Sequence, residues 1–295
     1  MRRLFLFLTL AAVVAAVSGA AVISTPVEID VKMPSISGDP GRGAYLARMS
    51  GCIACHTNGE EGGAPLAGGL ALRTDFGTFY SPNLTSDKKT GIGDWSVEDF
   101  AKAVRHGISP EGKPYYPAFP YPFYSRFSDQ DIADLWAAFQ TVPAVDEPSR
   151  EHDLGLPFNI RDGLKIWRTA FLDEGPFEPN PEKSDRWNRG KFIVEGPAHC
   201  GACHTPRNFA GARQVELAFH GADGLPDGGK SPPITAEALR KKGWTAKRLT
   251  YALRTGVLPD GDAFGGSMGE VVRDGTRFLQ QEDLDAIAAY LLNED

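Results

Sequence analysis

Apolar and polar residues follow two patterns along this chain. Near its start, Arg2 and Arg3 precede an uncharged, apolar run of 20 residues at positions 4–23. Farther along, apolar residues recur every three to four positions, a spacing that places them on one face of a helix. This second pattern predicts helices at residues 97–106, 129–139, 160–171, 246–255 and 282–292.

The first pattern, basic residues followed by an apolar run, is typical of an export segment. As a helix the run would measure about 30 Å, the thickness of one bilayer core. Small residues before Ala20 fit a cleaved signal peptide, whereas the usual apolar stretch of about 7–15 residues is shorter than this run, which favours an anchor. We therefore predict a signal peptide or membrane anchor at residues 1–25 and place the rest on the periplasmic side of the bacterial inner membrane.

Typical capping residues mark the ends of several predicted helices. Asp39, followed by a proline, begins a helix that leads to Cys52. Ser96 and Thr245 are candidate N-caps, and each of the helices they begin ends before a glycine.

The candidate chemistry lies in a motif of two cysteines and a histidine that occurs twice. Its residues are Cys52, Cys55 and His56 in the first copy, and Cys200, Cys203 and His204 in the second. C-x-x-C-H is the attachment pattern of a c-type haem. Its two thiols add to the vinyl groups on one edge of the porphyrin, and the histidine supplies a neutral imidazole to the iron.

Other uses of a Cys-x-x-Cys pair are a redox disulfide and half of a structural zinc site. A zinc site would join both pairs without needing a histidine after each, and a redox disulfide needs no second copy. The two motifs use all 4 cysteines of the chain. The pattern therefore predicts two covalently bound haem c groups.

The repeat extends beyond the two motifs. SPNLT at residues 81–85 matches SPPIT at residues 231–235, and Trp95 with its following serine matches Trp244 with its threonine. The two copies are offset by 148 to 150 residues throughout. A nearly constant offset predicts tandem domains of one fold.

We place the two domains at residues 39–145 and 185–295, with a tether at residues 26–38. Residues 146–184 contain five prolines, at positions 148, 157, 176, 179 and 181. They also contain Phe158, Ile160, Trp167 and Phe171, which are too apolar for a free linker. We predict an ordered connector that packs against the domains.

The position opposite the histidine differs between the two copies. Met268 follows Trp244 by 24 residues. It lies in a glycine-rich segment before the last helix, and we predict this segment to be a loop. A thioether there would be the sixth ligand of the second haem. The same count from Trp95 leads to Phe119, which cannot bind iron.

The first haem is therefore either five-coordinate or bound by a substitute. His106 is one candidate, although the end of its helix also favours a cation for electrostatic reasons. Weaker candidates are Tyr116, Tyr121 and Tyr124, since phenols bind iron in some haem proteins.

Composition narrows the range of partners. The net charge of −7 gives no indication of nucleic-acid binding. The 33 glycines and 22 prolines indicate many loops, which suits small haem domains because the porphyrin supplies part of their apolar core.

Several segments carry a family resemblance: CIACH at 52–56, SPNLT at 81–85, GIGDWS at 91–96, YPAFPY at 116–121, CGACHTPRN at 200–208 and FGGSM at 264–268. Together, over most of residues 40–292, they resemble periplasmic multihaem cytochromes c of the kind found as subunits of membrane-bound alcohol and aldehyde dehydrogenases. The resemblance implies an all-α fold with two cytochrome c domains. It also implies thioether bonds at Cys52, Cys55, Cys200 and Cys203, and axial ligands at His56, His204 and Met268.

Two departures from that family concern the donor and the first haem. Its subunits carry three haem motifs, whereas this chain has two, and they usually have methionine where Phe119 stands. The donor of electrons and the potential of the first haem are therefore open.

Two functions remain. An electron carrier would pass single electrons from a periplasmic dehydrogenase or other redox protein to a respiratory acceptor such as a quinone or terminal oxidase. A dihaem enzyme would use an open first haem on a small molecule such as peroxide or a sulfur compound. We favour the carrier, acting as an electron-transfer protein or a subunit of an oxidoreductase complex, held at the membrane by its N-terminal helix.

Overall fold

The computed structural model describes Thr25 and residues 27–225 and 229–295. The signal peptide or anchor predicted at residues 1–25 lies, except for Thr25, outside these described residues. Within the described ranges, no helix combines the length and the apolarity that a membrane crossing requires.

The part of the first half that the structure describes contains five α-helices and a hairpin. The helices are α1 (Pro40–Met49), α2 (Cys52–Cys55), α3 (Val97–His106), α4 (Tyr121–Tyr124) and α5 (Asp129–Gln140), and the hairpin strands are β1 (Ala71–Thr74) and β2 (Gly77–Tyr80). Local capping explains where the longer helices begin. The Asp39 carboxylate accepts the first N–H groups of α1, and Ser96 and Ser128 form capping boxes at α3 and α5.

The second half repeats the order of the main helices. Its elements are α7 (Asp185–Glu195), α8 (Gly201–His204), β4 (Ala222–Asp223), β5 (Lys230–Ser231), α9 (Ala236–Lys241), α10 (Ala246–Thr255), α11 (Gly266–Asp274) and α12 (Gln281–Leu292); between the halves stand β3 (Asp153–Leu154) and α6 (Leu164–Phe171). The predicted helices at 97–106 and 246–255 are confirmed with these bounds, and α5 and α12 confirm two more to within one residue. The helix predicted at residues 160–171 is shorter than expected, because a 3-10 turn occupies Arg161–Gly163 before α6 begins.

In each half, the first long helix packs closely against the last one. A Cβ atom added to Gly43 of α1 would lie 1.9 Å from the carbonyl oxygen of Asp134 in α5. One added to Gly190 of α7 would lie 1.9 Å from the carbonyl oxygen of Ala286 in α12. Both positions therefore need a residue without a side chain, so that the two backbones can meet.

An arginine precedes each of these glycines and fixes the same helix pair. Arg42 donates two hydrogen bonds to the Asp134 carboxylate, at 2.8 and 2.9 Å. Arg189 donates two to the Asp283 carboxylate, at 2.8 and 3.0 Å. Such two-pronged bonds to a nearly buried carboxylate define the relative position of the helices as well as stabilising it.

The two halves share one cluster of buried apolar side chains, which includes Leu46, Phe127, Phe192, Ile193 and Leu284. A hydrogen bond also joins them, because the Tyr45 hydroxyl of α1 donates to Asp283 Oδ2 at 2.7 Å. The same hydroxyl accepts the backbone N–H of Gln280 at 3.0 Å. The first helix of the first half therefore contacts the start of the last helix of the second.

Residues 146–184 contact both halves. The Asn83 side chain donates to the carbonyl oxygens of Val145 and Glu147, at 2.8 and 3.0 Å. At the other end, Trp167 Nε1 donates to the carbonyl oxygen of Ala210 at 2.9 Å. These contacts give this segment defined neighbours on both sides.

The expectation of an all-α fold needs a correction. The described chain is mostly helical but contains five short strands, and β1, β2 and β3 form a three-stranded antiparallel sheet. Gly77 adopts a φ of +123° directly after the hairpin turn. Its missing side chain leaves room for Asp153 of β3, whose carbonyl oxygen would lie 2.3 Å from an added Cβ.

Candidate functional site

Each cysteine pair lies on a single turn of helix that directly follows a longer helix. Cys52 and Cys55 begin and end α2, while Cys200 is the N-cap of α8 and Cys203 lies within it. Residues three apart on a helix share a face, so each pair of thiols can reach one edge of a planar group. All four cysteines are free thiols, and burial raises the pKa of Cys52 and of Cys200 to about 12.

The two histidines are held in the same way. The Nδ1 atom of His56 lies 2.8 Å from the carbonyl oxygen of Pro82, and that of His204 lies 2.7 Å from the carbonyl oxygen of Pro232. A carbonyl oxygen can only accept, so Nδ1 carries the proton and Nε2 offers its lone pair. Fixing the ring through its second nitrogen is how proteins orient a histidine that binds a metal.

Burial also keeps both imidazoles neutral. It lowers the pKa of His56 to about 4, against a smaller opposite effect of the Pro82 hydrogen bond. It lowers the pKa of His204 as well, with Pro232 again opposing. A neutral imidazole beside two protonated thiols is a donor set that fits covalent attachment of a haem c.

The loops that follow the two motif histidines share the same backbone geometry. In the first half, Leu66 has a φ of +60° and its N–H donates to the hydroxyl of Thr57 at 3.1 Å. In the second half, Phe219 has a φ of +65° and its N–H donates to the hydroxyl of Thr205 at 3.2 Å. Both threonines directly follow the histidine of the motif, so they support the loop that passes beside it.

A glycine completes each of these loops. Gly68 and Gly221 have φ values of +81° and +86°, and an added Cβ would lie 2.6 and 2.7 Å from the carbonyl oxygens of Ser81 and Ser231. Sequence reasoning missed the two threonines and the two glycines. Aligning the two copies residue by residue around each motif would have found them, because each pair has one member per copy.

The segments that we predict to lie opposite the histidines differ between the halves. Phe119 lies in an aromatic cluster, with its ring centroid 5.8 Å from that of Tyr124, 6.0 Å from Tyr115 and 6.1 Å from Tyr121. Met268 packs, partly buried, against the shared apolar cluster. The expected loop around Met268 was wrong, since this residue lies in the first turn of α11, which begins at two consecutive glycines.

His106 and two of the tyrosine candidates have other contacts, whereas the buried hydroxyl of Tyr121 makes no hydrogen bond within the described residues. His106 is the last residue of α3, and its Nδ1 lies 3.1 Å from Glu174 Oε2, which fits the alternative interpretation of a cation at a helix end. The Tyr116 hydroxyl donates to the carbonyl oxygen of Phe158 at 2.7 Å, and that of Tyr124 donates to the carbonyl oxygen of Ser50 at 2.6 Å. A sixth ligand from this group stays a prediction.

Comparisons with known proteins find relatives among the c-type cytochromes. The family model for cytochrome c matches residues 41–139. A dihaem c-type cytochrome of Cereibacter sphaeroides is 40% identical over 278 residues, which covers 91% of this chain and 90% of the relative.

Two further relatives are longer proteins. The cytochrome subunit of fructose dehydrogenase from Gluconobacter japonicus is 41% identical, over 90% of this chain and 54% of the relative. The cytochrome c subunit of gluconate 2-dehydrogenase from Pantoea cypripedii is 42% identical, over 85% of this chain and 58% of the relative. The chain thus spans little more than half the length of these two dehydrogenase subunits.

Proposed function

Because this chain belongs to the cytochrome c family, whose members transfer electrons through covalently bound haem c, we propose that it is a two-haem relay built from two tandem cytochrome c domains. The domains are residues 39–145 and 185–295, joined by the connector at residues 146–184. The observation that carries the proposal is the duplicated donor set, in which each histidine of a C-x-x-C-H motif is oriented by a proline carbonyl, at 2.8 and 2.7 Å.

In this proposal the chain supplies attachment, orientation and a ligand field. Cys52 and Cys55 would hold the first haem and Cys200 and Cys203 the second, each pair through two thioether bonds. His56 and His204 would offer Nε2 to the irons. A haem c, when bound, supplies one-electron chemistry at its iron. The carbonyls of Pro82 and Pro232 hold the imidazoles in place, so little reorganisation accompanies a change of charge at the metal.

Haem counting in cysteine variants tests the proposal. The pyridine haemochrome assay on the exported wild-type protein should give two covalent groups per chain. The paired variants Cys52→Ser/Cys55→Ser and Cys200→Ser/Cys203→Ser should each give one, and the variant with all four substitutions should give none. One group in the wild-type protein would contradict the proposal, as would a paired variant that retains two.

The surroundings of the relay are part of the proposal. The basic and apolar start of the chain supports export and a place on the periplasmic side of the inner membrane, anchored or released after cleavage. The relatives named as dehydrogenase subunits support a dehydrogenase as electron donor, and a quinone or a terminal oxidase would be the acceptor. Protease treatment of spheroplasts tests the location: an added protease should digest the protein in intact spheroplasts, and protection would argue against it.

A second candidate function rests on Phe119. A phenyl ring at the position that corresponds to Met268 leaves the first iron without a sulfur ligand, which suits an enzyme that binds a small molecule there. Electron paramagnetic resonance distinguishes the two functions. Two low-spin ferric haems support the relay, and one high-spin haem that binds cyanide or carbon monoxide supports the enzyme.

A further inference from the structure

The two haem-attachment loops contact each other directly. The Tyr124 hydroxyl of α4 donates to the carbonyl oxygen of Ser50, two residues before Cys52, at 2.6 Å. The Tyr124 ring lies 6.1 Å from the ring of His199, the residue before Cys200. A Cβ added to Gly51 would lie 3.7 Å from His199 Nε2. Thus the residues that precede the first cysteine of each motif meet across the boundary between the halves.

Both loops reach this contact through an unusual backbone conformation. Gly51 has a φ of +71° and His199 has a φ of +37°. Both values lie in the left-handed region, which residues other than glycine rarely adopt. The carbonyl oxygen of His199 accepts the N–H of Ala202 at 2.7 Å, so this residue begins the turn that carries Cys200 and Cys203. A non-glycine residue in this conformation is kept there by its surroundings, and such positions concentrate at functional sites.

Aromatic side chains of the first half form those surroundings. Phe123 and Tyr124, both nearly buried, lie on α4, and the Phe123 ring centroid is 6.0 Å from that of His199. A Cβ added to Gly201 would be 3.5 Å from the Phe123 ring, and the Arg213 guanidinium stacks on that ring at 4.0 Å. α4 therefore packs against the second attachment loop.

We propose that His199 is a positioning residue that couples the two haem-attachment loops, and that electrons cross between the halves at its contact with residues 50–51. The path would run from the first haem through Cys52 and residues 50–51 to His199, and through Cys200 to the second haem. Over a given distance, electron transfer is faster along covalent bonds and short contacts than across a gap. This proposal rests on the proposed two-haem relay.

Substitutions at His199 test it through the rate of electron transfer between the haems, measured after flash reduction of the full-length, two-haem protein. His199→Asn removes the ring, but asparagine tolerates the left-handed conformation. His199→Gly removes both the ring and the backbone strain. The matched control is His220→Ala, which alters an exposed histidine whose Nδ1 lies 3.0 Å from the carbonyl oxygen of Ala218.

We expect both His199 variants to slow the transfer by roughly tenfold or more, the effect of about 1.4 kcal/mol on a barrier, and to bring the two reduction potentials closer together. The control should keep the wild-type rate and potentials. The haemochrome assay confirms that each variant retains two haems. A wild-type rate in a His199 variant with two haems overturns the inference.

If a His199 variant loses its second haem, the rate of electron transfer in Tyr124→Phe tests the inference instead. It keeps the ring and removes only the hydrogen bond to the carbonyl oxygen of Ser50. We expect transfer to slow by roughly threefold, less than for the loss of the whole ring. An unchanged rate there overturns the inference, whereas fewer than two haems in the wild-type protein overturns the proposed function instead.

Discussion

The two halves of the molecule share the contacts that hold the motif histidines but differ in the segments around Phe119 and Met268. On the histidine side they agree, since a proline carbonyl, a threonine hydroxyl and a glycine with positive φ recur in each half. In the segments predicted to lie opposite the histidines, the first half has Phe119 just before the four-residue helix α4, and the second has Met268 in the nine-residue helix α11. If two haems bind as proposed, this difference would allow each half to set its own reduction potential.

The largest expected effect comes from exchanging the residues that distinguish the halves. If Met268 is the sixth ligand of the second haem, Met268→Leu removes that sulfur while keeping the volume, and the potential of this haem should fall. Phe119→Met should raise the potential of the first. Because axial ligands tune haem potentials over about 0.8 V, we expect shifts on the order of 0.2 V, measured by spectroelectrochemistry.

Met33→Leu is the control for this exchange. Met33 is also partly buried against the shared apolar cluster, but it precedes the first motif. Its substitution should leave both potentials unchanged. An unaltered second potential in Met268→Leu would remove the proposed difference between the halves.

A smaller effect should come from the feature that the halves share. Gly43→Ala and Gly190→Ala each place a Cβ 1.9 Å from a backbone oxygen of the partner helix, so the helices must separate. We expect each variant to lower the free energy of unfolding by about 3 kcal/mol, as overpacked cores do. Chemical denaturation followed by circular dichroism measures this.

Gly163→Ala serves as the comparison for the glycine variants. It has a helical φ of −59°, and an added Cβ meets no atom within 4 Å. It should stabilise slightly, by about 0.5 kcal/mol, through the unfolded state. Equal losses at Gly43 and Gly190 would support equivalent helix pairs, and a loss at one alone would show that the halves differ there too.

The smallest effect concerns pH. Burial, the largest single influence, raises the pKa of Asp134 and of Asp283. The hydrogen bonds to each carboxylate and the charge of its arginine partner, Arg42 or Arg189, together outweigh burial, so the pKa of each carboxyl lies below its usual value. A lowered folded-state pKa gives stability that is complete above the unfolded-state value of about 3.9 and is lost as the pH falls through the folded-state value.

Asparagine variants separate the two carboxylates. Asp134→Asn and Asp283→Asn should each cost about 1–2 kcal/mol at neutral pH and flatten the acid limb of the stability curve. Asp283→Asn should cost more, because it also weakens the hydrogen bond from Tyr45 that joins the halves. Acid unfolding curves that coincide with the wild-type curve would contradict this assignment.

Much of the helical framework could be predicted from local sequence. Ser96 with Asp99, and the glycine that ends α3 with a φ of +60°, act within a few residues, so their effects are visible in the chain itself. The strands could not be found in this way. β2 pairs with Asp153–Leu154, more than 70 residues away, and strands this short carry no periodicity.

In the site, too, local features could be predicted from the sequence, whereas contacts between distant residues could not. The cysteines and histidines are adjacent in the sequence, so their pattern predicted a haem motif directly. The contact of His199 with Gly51 joins positions 148 residues apart and depends on how the halves pack. The helix around Met268 was missed because two glycines at its start indicate a turn more strongly than a helix.

The hydrogen bond between Tyr45 and Asp283 makes the order of synthesis relevant to this fold. Its partners are 238 residues apart, and the acceptor lies in the final helix. The chain is made from its N-terminus, so Tyr45 and Arg189 are both present before Asp283, the carboxylate that each of them bonds. A chain truncated before Gln281 could complete α1 and the first attachment loop but would leave both side chains without their acceptor, so nearly the whole chain must be present before these two helices become fixed.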